Sequence, residues 1–349
     1  MEARLRVLHA GIGVTIQDGG RYGYLRYGIT PAGPMDWAAF RTASLALGND
    51  DHSAAIEVST GGLQIVCEGN AVWVAFAGGE FVWHRAGELM PQAARLLLEP
   101  GVPLQARAGA SGTFAYLAVE GGLDTPVVLG SRATHTRSGL GGIGGRSLRA
   151  GDILPVGLSR PERAQYFEAS IGAPWFTREP LPIRVVLGPQ DDHFAPGARK
   201  IFFSSEFTLT AAADRMAYRF EGPEIESVQG YDIISDGAVL GAIQITGSKR
   251  PFVLMADRQP TGGYPKLGAV ARADIGRLAQ MRPGEACRFK KISPQDAQQS
   301  LLRLEDEIAG AISHLHPLPK KLTTESLFAA NLIGGVFDAP PKDRNDRVS

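Results

Sequence analysis

Short apolar runs separated by glycine and proline are the feature that most constrains the fold of this chain. Gly occurs 43 times and Pro 23 times in 349 residues, and both interrupt the sequence throughout. Short runs rich in apolar residues lie between them, at 72–76, 95–98, 114–119, 183–187 and 286–289. Many short strands with turn residues between them are typical of barrels and sandwiches rather than of a doubly wound α/β sheet. The pattern predicts a mostly β protein.

A few segments show helical signals instead. Residues 36–47 begin with Asp36, a candidate N-cap, and end before Gly48. A shorter helix is predicted over 273–281, and an amphipathic one over 295–314. We therefore expect a mostly β fold with a few short helices and a C-terminal helical extension.

The length of the chain suggests two domains, because a single small core does not fill 349 residues. Several prolines interrupt the strand pattern between residues 159 and 182. We expect a first β-barrel domain over 1–165, which includes the helix at 36–47, and a second over 166–292. Residues 293–349 are expected to form a helical extension and a partly disordered tail.

Charge and cysteine content exclude several function classes. A formal net charge of +0 gives no reason to expect binding to nucleic acid or to an anionic membrane. The start of the chain has no apolar signal-peptide core, and no window reaches transmembrane length, so we expect a cytoplasmic protein. Cys67 and Cys287 lie outside any metal-ligand spacing, and both are expected to be buried core thiols. No metal site is predicted.

A polar turn at residues 257–266, with the sequence DRQPTGGYPK, is the first candidate for chemistry. It lies between two apolar runs, at 251–255 and 267–270, that are predicted to be strands. A carboxylate, a guanidinium and an amide follow one another on a glycine-rich turn, and no core needs these groups. Taken alone, the turn is compatible with a functional site and also with an ordinary hairpin whose polar side chains have no function.

Other glycine-rich polar segments occur at 11–36, 130–146, 213–222 and 235–245. The second could wrap an anionic or carbonyl-bearing ligand or be a mobile surface loop. The third is predicted to be a strand with Arg215 and Arg219 near one face, where Asp214 could pair with Arg215 in a structural salt bridge or Arg215 could be free to bind a ligand. In the fourth, Gln244 lies on an otherwise apolar strand, where a lone amide needs a partner or a ligand.

Familiar catalytic motifs are missing from the sequence. No phosphate loop of the form GxxxxGK[ST], no GxSxG elbow and no HExxH motif occurs. The carboxylates are scattered rather than paired. Any chemistry at these segments therefore depends on Arg, Gln, Asp, Ser and Tyr, which orient and polarise carbonyl and carboxylate groups.

Taken in order, these segments resemble the family called allophanate hydrolase subunit 2, also described as the biotin-dependent carboxyltransferase family. The resemblance covers roughly residues 5–290, and the ordered series is more specific than any one motif. Pro34 stands where the family usually has Ala, Ala217 where it usually has Gly, and residues beyond 292 match no family pattern. The matching motifs are TIQDGGRYG (15–23), GPMD (33–36), GGL (121–123), GSRAT (130–134), GPQ (188–190), DRM (214–216), GAIQ (241–244) and the turn through Pro265.

The resemblance implies a pair of cyclophilin-like β-barrels and a function shared with partner chains. It implies the C-type subunit of an ATP-dependent 5-oxoprolinase, which cleaves 5-oxo-L-proline to L-glutamate with a subunit-1 type partner (like the B-type subunit of 5-oxoprolinase) and a subunit-A type partner. We expect no activity from the chain alone, no tightly bound cofactor, and ATP use by the complex. One alternative is a carboxyltransferase that moves CO2 from carboxybiotin to urea or a related amide. Another is a non-catalytic regulator that binds a kinase inhibitor, and a homo-oligomer also stays open.

Residue chemistry and the matching motifs together give a set of site residues for a small carboxylate or amide substrate. Arginines would hold a carboxylate, glutamines would fix amide or carbonyl groups, and an aspartate would handle a proton or orient an arginine. The catalytic candidates are Gln17, Asp18, Arg215, Gln244, Asp257 and Arg258, and the substrate-binding candidates are Arg21, Ser131, Arg132, Arg146, Gln259 and Tyr264.

Overall fold

The computed structural model of the chain describes residues 2–158, 166–173 and 182–319. The chain divides into two compact units, Met1–Pro317 and Leu318–Ser349, and every helix and strand described below lies in the first. The predicted tail beyond residue 319, and most of the proline-rich boundary at 159–182, lie outside the described residues.

In the part of the chain that the structure describes, twelve strands precede the proline-rich boundary or lie inside it. They are β1 (Arg4–Ala10), β2 (Thr15–Gln17), β3 (Ala55–Val58), β4 (Leu63–Glu68), β5 (Val72–Gly78), β6 (Phe81–Arg85), β7 (Glu88–Leu89), β8 (Ala94–Leu98), β9 (Pro103–Ala108), β10 (Ala115–Val119), β11 (Ile153–Pro155) and β12 (Ala169–Ser170). The apolar runs predicted at 72–76, 95–98 and 114–119 are all strands, which confirms those predictions.

Ten strands follow within the described residues. They are β13 (Ile183–Leu187), β14 (Glu206–Ala213), β15 (Ala217–Glu221), β16 (Asp236–Gly237), β17 (Ala242–Ile245), β18 (Pro251–Leu254), β19 (Thr261–Gly262), β20 (Lys266–Val270), β21 (Ala286–Lys291) and β22 (His316–Pro317). Seven of them close a barrel in the order β13-β20-β17-β18-β15-β14-β21. The mostly β prediction is confirmed, with a closed barrel in the second half of the chain.

The first half of the chain, together with β22, forms two sheets that pack face to face. One has the order β11-β1-β4-β9-β6-β7, and the other β2-β3-β10-β5-β8-β12-β22. Alternate residues of both sheets point inward and form a single core, in which the rings of Phe76 and Trp83 stack with centroids 4.1 Å apart. The alternation of apolar residues along these strands sets which face is buried.

Four helices lie among the described residues: α1 (Trp37–Ala46), α2 (Pro196–Ser204), α3 (Arg272–Ala279) and α4 (Pro294–Ser313). The predicted N-cap of α1 is confirmed, because the Asp36 side chain accepts a hydrogen bond from the Ala39 amide. Three of the four helices agree with the sequence within about two residues at each end, whereas α2 was not predicted.

The helix α1 connects the two halves of the fold. Its buried residues, such as Phe40, belong to the same apolar core as Tyr116 on the outer face of β10 and Leu278 on α3. The barrel contributes its interior to this core, including Phe202 and Phe289, whose rings stack with centroids 4.8 Å apart. The sheets and the barrel are thus joined by one continuous core, and the polar groups described next lie along that junction.

Candidate functional site

Arg215 joins the barrel to the first half of the chain. It lies in the turn between β14 and β15, and not within a strand as predicted. Its guanidinium donates to both Asp257 oxygens at 2.9 and 2.8 Å, to the Gly33 carbonyl at 2.8 Å and to the Glu57 carboxylate. Burial opposes the charge on Arg215, but Asp257 and Glu57 outweigh burial and raise its pKa above the ordinary value.

Of the two alternatives for Asp214, a salt bridge with Arg215 is not the one that forms. Asp214 instead accepts from Arg137 at 3.0 Å, and its other oxygen accepts from the amides of Met216 and Ala217. Consecutive residues in a tight turn point their side chains apart, so the neighbour in sequence was not the partner in space.

The Glu57 carboxylate extends the network into the first half of the chain. It accepts from the Tyr116 hydroxyl at 2.6 Å and from the Met35 amide at 2.9 Å, and Tyr116 in turn accepts from the Asp36 amide. Burial raises the pKa of Tyr116 well above its usual value, and the charge of Glu57 adds to the shift. Burial likewise raises the pKa of Asp36. Every polar group in this network has a partner, so it holds the two halves together.

Gln17 has both ends of its amide engaged by the protein. Its nitrogen donates to the Thr15 hydroxyl at 2.9 Å and to the Thr134 carbonyl at 3.0 Å, and its oxygen accepts from the Gly33 amide at 3.1 Å. The residue is completely buried. Gln17 was predicted to be catalytic, but these contacts fit a residue that fixes two loops.

Asp18 holds the loop that carries two other candidates. Its carboxylate accepts from the Gly20 amide at 3.0 Å, from the Ser131 hydroxyl at 2.6 Å and from the Arg132 amide. Three donors satisfy a carboxylate without any ligand, so Asp18 and Ser131 both act here by positioning the loop.

Arg21 is buried without a carboxylate in contact with its guanidinium. Its nitrogens donate to the carbonyl oxygens of Val128 at 2.8 Å, Ala133 at 3.0 Å and Ser131 at 3.4 Å. Nη1 has no hydrogen-bond partner among the described residues. Burial lowers the pKa of Arg21, against the attraction of Asp18 and Asp257.

Arg258 lies beside Asp257 and is also buried. Its Nε donates to the Ala238 carbonyl at 3.0 Å. Burial lowers its pKa, the positive charge of Arg272 lowers it further, and Tyr22 and Asp257 oppose the change. Asp257 therefore lies among three arginines. Arg215 is hydrogen-bonded to it, and the negative charge of Asp257 acts to raise the pKa of both Arg21 and Arg258.

Two further arginine candidates are engaged elsewhere. Arg132 donates to the Thr125 carbonyl at 2.8 Å and to Asp124 at 2.7 Å, and it lines a cleft of about 260 Å³ with residues of the first half. Arg146 forms a bidentate pair with Asp152, with both distances 2.7 Å. The structure does not place these two guanidinium groups in the junction network.

Gln244 and Lys266 face each other across β17 and β20 and were not predicted as a pair. They are register partners next to a β-bulge, and the exposed fractions of the two residues are 0% and 2%. Neither end of the Gln244 amide, nor the Lys266 ammonium, has a hydrogen-bond partner among the described residues. Lys266 was missed because it was treated as the end of a turn motif, although it is the first residue of a buried strand.

The polar turn at 257–266, which was predicted from the sequence, lies next to Gln244 and ends at Lys266. Gln259 and Tyr264 are exposed on it, and Tyr264 is 38% accessible. Gly262 is buried, and a Cβ atom there would come within 2.4 Å of the Gln244 amide nitrogen. Thus the turn carries two accessible candidates on its outer side and lies against the Gln244 amide on its inner side, while the Lys266 ammonium is 3.7 Å from an Asp236 carboxylate oxygen.

The described residues show neither a metal-binding cluster nor a membrane helix. Across residues 2–158, 166–173 and 182–319, no three His, Cys, Asp or Glu side chains are grouped as metal ligands would be. Over the same residues, no helix is long and apolar enough to cross a membrane.

Comparison with known proteins gives consistent matches over most of the chain. Residues 27–291 match the family described as "Carboxyltransferase domain, subdomain A and B". The chain is 34% identical over 295 residues to the C-type subunit of 5-oxoprolinase from Escherichia coli, covering 84% of this chain and 93% of that protein. It is 35% identical over 311 residues to the C-type subunit of 5-oxoprolinase from Haemophilus influenzae, covering 84% and 92%.

A solved structure shares the fold. The crystal structure of K. lactis urea amidolyase superimposes with a TM-score of 0.78 at 28% sequence identity, over 91% of this chain. The match spans 20% of the urea amidolyase chain, so this protein corresponds to about a fifth of that enzyme.

Proposed function

The chain belongs to the carboxyltransferase domain A and B family, and we propose that it is the C-type subunit of an ATP-dependent 5-oxoprolinase complex. In this proposal it helps to cleave 5-oxo-L-proline to L-glutamate. A subunit-1 type partner, similar to the B-type subunit of 5-oxoprolinase, and a subunit-A type partner complete the enzyme. ATP is used by the complex, and the isolated chain is inactive.

The observation that carries the proposal is the extent of the match. The alignment covers 93% of the C-type 5-oxoprolinase subunit of E. coli, whereas the structural match covers 20% of urea amidolyase. The similarity thus extends over nearly a whole 5-oxoprolinase subunit and only a small part of the larger enzyme.

The chemistry of the junction supports a role in binding and orienting a small polar substrate. Within the described structure, the buried guanidinium groups of Arg258 and Arg21 are hydrogen-bonded to carbonyl oxygens and to no carboxylate. Gln244 and Lys266 are buried without hydrogen-bond partners in the described structure. Preorganised donors of this kind stabilise charge that develops on a carbonyl or carboxylate oxygen. Gln17, Asp18 and Arg215 would act as positioning residues, because their polar atoms are already engaged.

A carboxyltransferase acting on urea or a related amide is the second candidate, supported by the similarity to urea amidolyase. Carboxybiotin carries a ureido group and a carboxylate, and the unpaired amide of Gln244 and ammonium of Lys266 fit both. Bound there, carboxybiotin would supply the carboxyl group to be transferred.

Reconstitution tests the proposal. The purified chain is mixed with its subunit-1 and subunit-A partners, 5-oxo-L-proline and ATP, and L-glutamate and ADP are measured. We expect glutamate only when all three chains and ATP are present. A complex that forms no glutamate from 5-oxo-L-proline but consumes carboxybiotin in the presence of urea would support the carboxyltransferase instead. A complex with neither activity would favour a regulatory role.

A further inference from the structure

Gln244 and Lys266 lie together on the outer face of the barrel. Their neighbours Ile243, Ile245 and Leu267 point into the barrel core, and side chains alternate along a strand, so Gln244 and Lys266 point outward. Both are nevertheless buried: Gly262 of the turn at 257–266 lies against the Gln244 amide, and Asp236 lies 3.7 Å from the Lys266 ammonium. A primary amide and an ammonium group are therefore enclosed side by side.

The two side chains have unused hydrogen-bonding capacity. The Gln244 amide offers two donors and a carbonyl acceptor, and none of them has a partner among the described residues. The nearest anion to Lys266 is an Asp236 carboxylate oxygen, 3.7 Å from Nζ. Buried polar groups without partners destabilise a fold unless a water molecule or a ligand bonds to them. Gln244 and Lys266 are directly opposite each other on β17 and β20, so their unused hydrogen-bonding groups lie next to each other.

Asp236 occupies the position that an anionic ligand would take. It is an exposed residue on β16, where the Gly237 amide, the Gln190 amide and Lys266 lower its pKa and keep it ionised. The strand β16 pairs with β19 through only two residue pairs, Asp236 with Gly262 and Gly237 with Thr261. A two-stranded ladder of this length separates at little cost in free energy. Separation of β16 from β19 would move the Asp236 carboxylate away from Lys266 and Gly262 away from Gln244.

We propose that Gln244 and Lys266 form the recognition site for a cyclic amide that carries a carboxylate. The Gln244 nitrogen donates to the lactam carbonyl, the lactam N–H donates to the Gln244 oxygen, and the Lys266 ammonium binds the carboxylate in place of Asp236. A cis amide presents its N–H and C=O side by side, which matches the side-by-side donor and acceptor of a glutamine amide. Urea has no carboxylate for the lysine to bind.

This inference rests on the proposed function and names the part of the substrate that each residue reads. 5-Oxo-L-proline has both features, a cis lactam and a carboxylate, whereas 2-pyrrolidinone has the lactam alone. Comparison of these two ligands therefore separates the contribution of Lys266 from that of Gln244.

Calorimetric titration of the full chain with each ligand tests the assignment. Lys266→Met should weaken 5-oxo-L-proline binding by about ten- to a hundredfold, the value of a charged hydrogen bond, and leave 2-pyrrolidinone binding unchanged. Gln244→Leu should weaken both. The control is Lys249→Met, since Lys249 is partly exposed and paired with Glu226, and it should bind both ligands as the wild type does.

Thermal unfolding gives a readout that does not depend on ligand. Lys266→Met removes a buried charge that has no hydrogen bond and keeps the shape of the side chain, so its Tm should equal or exceed that of the wild type. A lower Tm would show that Lys266 stabilises the barrel and would overturn its assignment to a ligand.

Glycine substitutions test the cover. Gly262→Ala places a methyl group within 2.4 Å of the Gln244 amide and should reduce binding of both ligands at least tenfold, because the amide must move. Gly247→Ala is the matched control, because nothing lies within 4 Å of the added Cβ. Equal binding by the two variants would contradict the placement of the ligand under the turn.

Turnover by the reconstituted complex separates this inference from the proposed function. Loss of 5-oxo-L-proline turnover in the Lys266 and Gln244 variants, with normal assembly, supports both. Unchanged KM and kcat would refute the site and keep the function. Selective ligand binding by a complex that never produces glutamate would keep the site and refute the function. Absence of both binding and turnover refutes both. A crystal structure with only a water molecule between the two side chains at saturating 5-oxo-L-proline would refute the site.

Discussion

Replacing Arg215 by Met is expected to destabilise the protein more than any change of an exposed ion pair. Arg215 donates to Asp257, to Glu57 and to the Gly33 carbonyl, and 13% of its side chain is accessible. Methionine keeps much of the volume and removes every donor. Two buried carboxylates, 4% and 0% accessible, then lose the guanidinium group that is hydrogen-bonded to both of them.

The magnitude follows from this burial. Removing one partner of a buried ion pair costs about 3–5 kcal/mol, because the remaining charge stays in a low-dielectric site. An exposed pair contributes about 0–1 kcal/mol. Arg250 is a suitable control, because it pairs with Glu221 on the surface, where the carboxylate side chain is 68% accessible. The Arg215 variant should therefore lose several times more stability than Arg250→Met.

Urea denaturation followed by tryptophan fluorescence measures the difference. We expect the free energy of unfolding of Arg215→Met to fall by about 3–5 kcal/mol and that of Arg250→Met by at most about 1 kcal/mol. The double variant Arg215→Met with Asp257→Asn should recover part of the loss, because it removes one of the two stranded charges. Equal losses in the two single variants would refute the view that this network joins the halves of the fold.

Two further predictions concern titrating groups. Burial raises the pKa of Asp36 above its ordinary value of about 3.9. Asp36 therefore loses its proton at a lower pH in the unfolded chain than in the folded one, and the wild type should lose stability relative to Asp36→Asn as the pH rises above about 4. A difference in unfolding free energy between the two proteins that is constant from about pH 4 to 7 would contradict this. Burial raises the pKa of the Cys287 thiol to about 12 and also raises that of Cys67. Cys67 is buried as predicted, whereas Cys287 is only half-buried. At pH 8 a thiol with a pKa of about 12 has a thiolate fraction on the order of 1 in 10,000, so Cys287 should react slowly with a disulfide reagent in the native protein. Cys67, which is 0% accessible, should not react until urea unfolds the chain, and prompt labelling of both cysteines in the native protein would contradict this.

Local sequence signals predicted the secondary structure because they act over a few residues. Asp36 caps α1 as expected, and the apolar run at 183–187 coincides with β13. The helix α2 was missed because its first residues, Pro196 and Gly197, are also turn residues. A proline at a helix start and a proline in a turn are not distinguished by sequence alone.

The roles of the site residues could not be predicted because they depend on long-range contacts. Gln17 is bonded to Thr134, and Arg215 to Glu57, across more than a hundred residues of sequence. Only the folded chain shows that these polar groups are already satisfied. Gln244 was predicted to need a partner or a ligand, and its lack of a partner agrees with that, but its position opposite Lys266 depends on strand register.

A crystal structure of the assembled complex with bound 5-oxo-L-proline is the most direct test of the account. In that structure we expect the turn at 257–266 to have moved, the lactam to be hydrogen-bonded to the Gln244 amide, and the carboxylate to lie on Lys266 in place of Asp236. Substrate bound elsewhere, with Gln244 and Lys266 still covered and Asp236 still 3.7 Å from the ammonium, would contradict it.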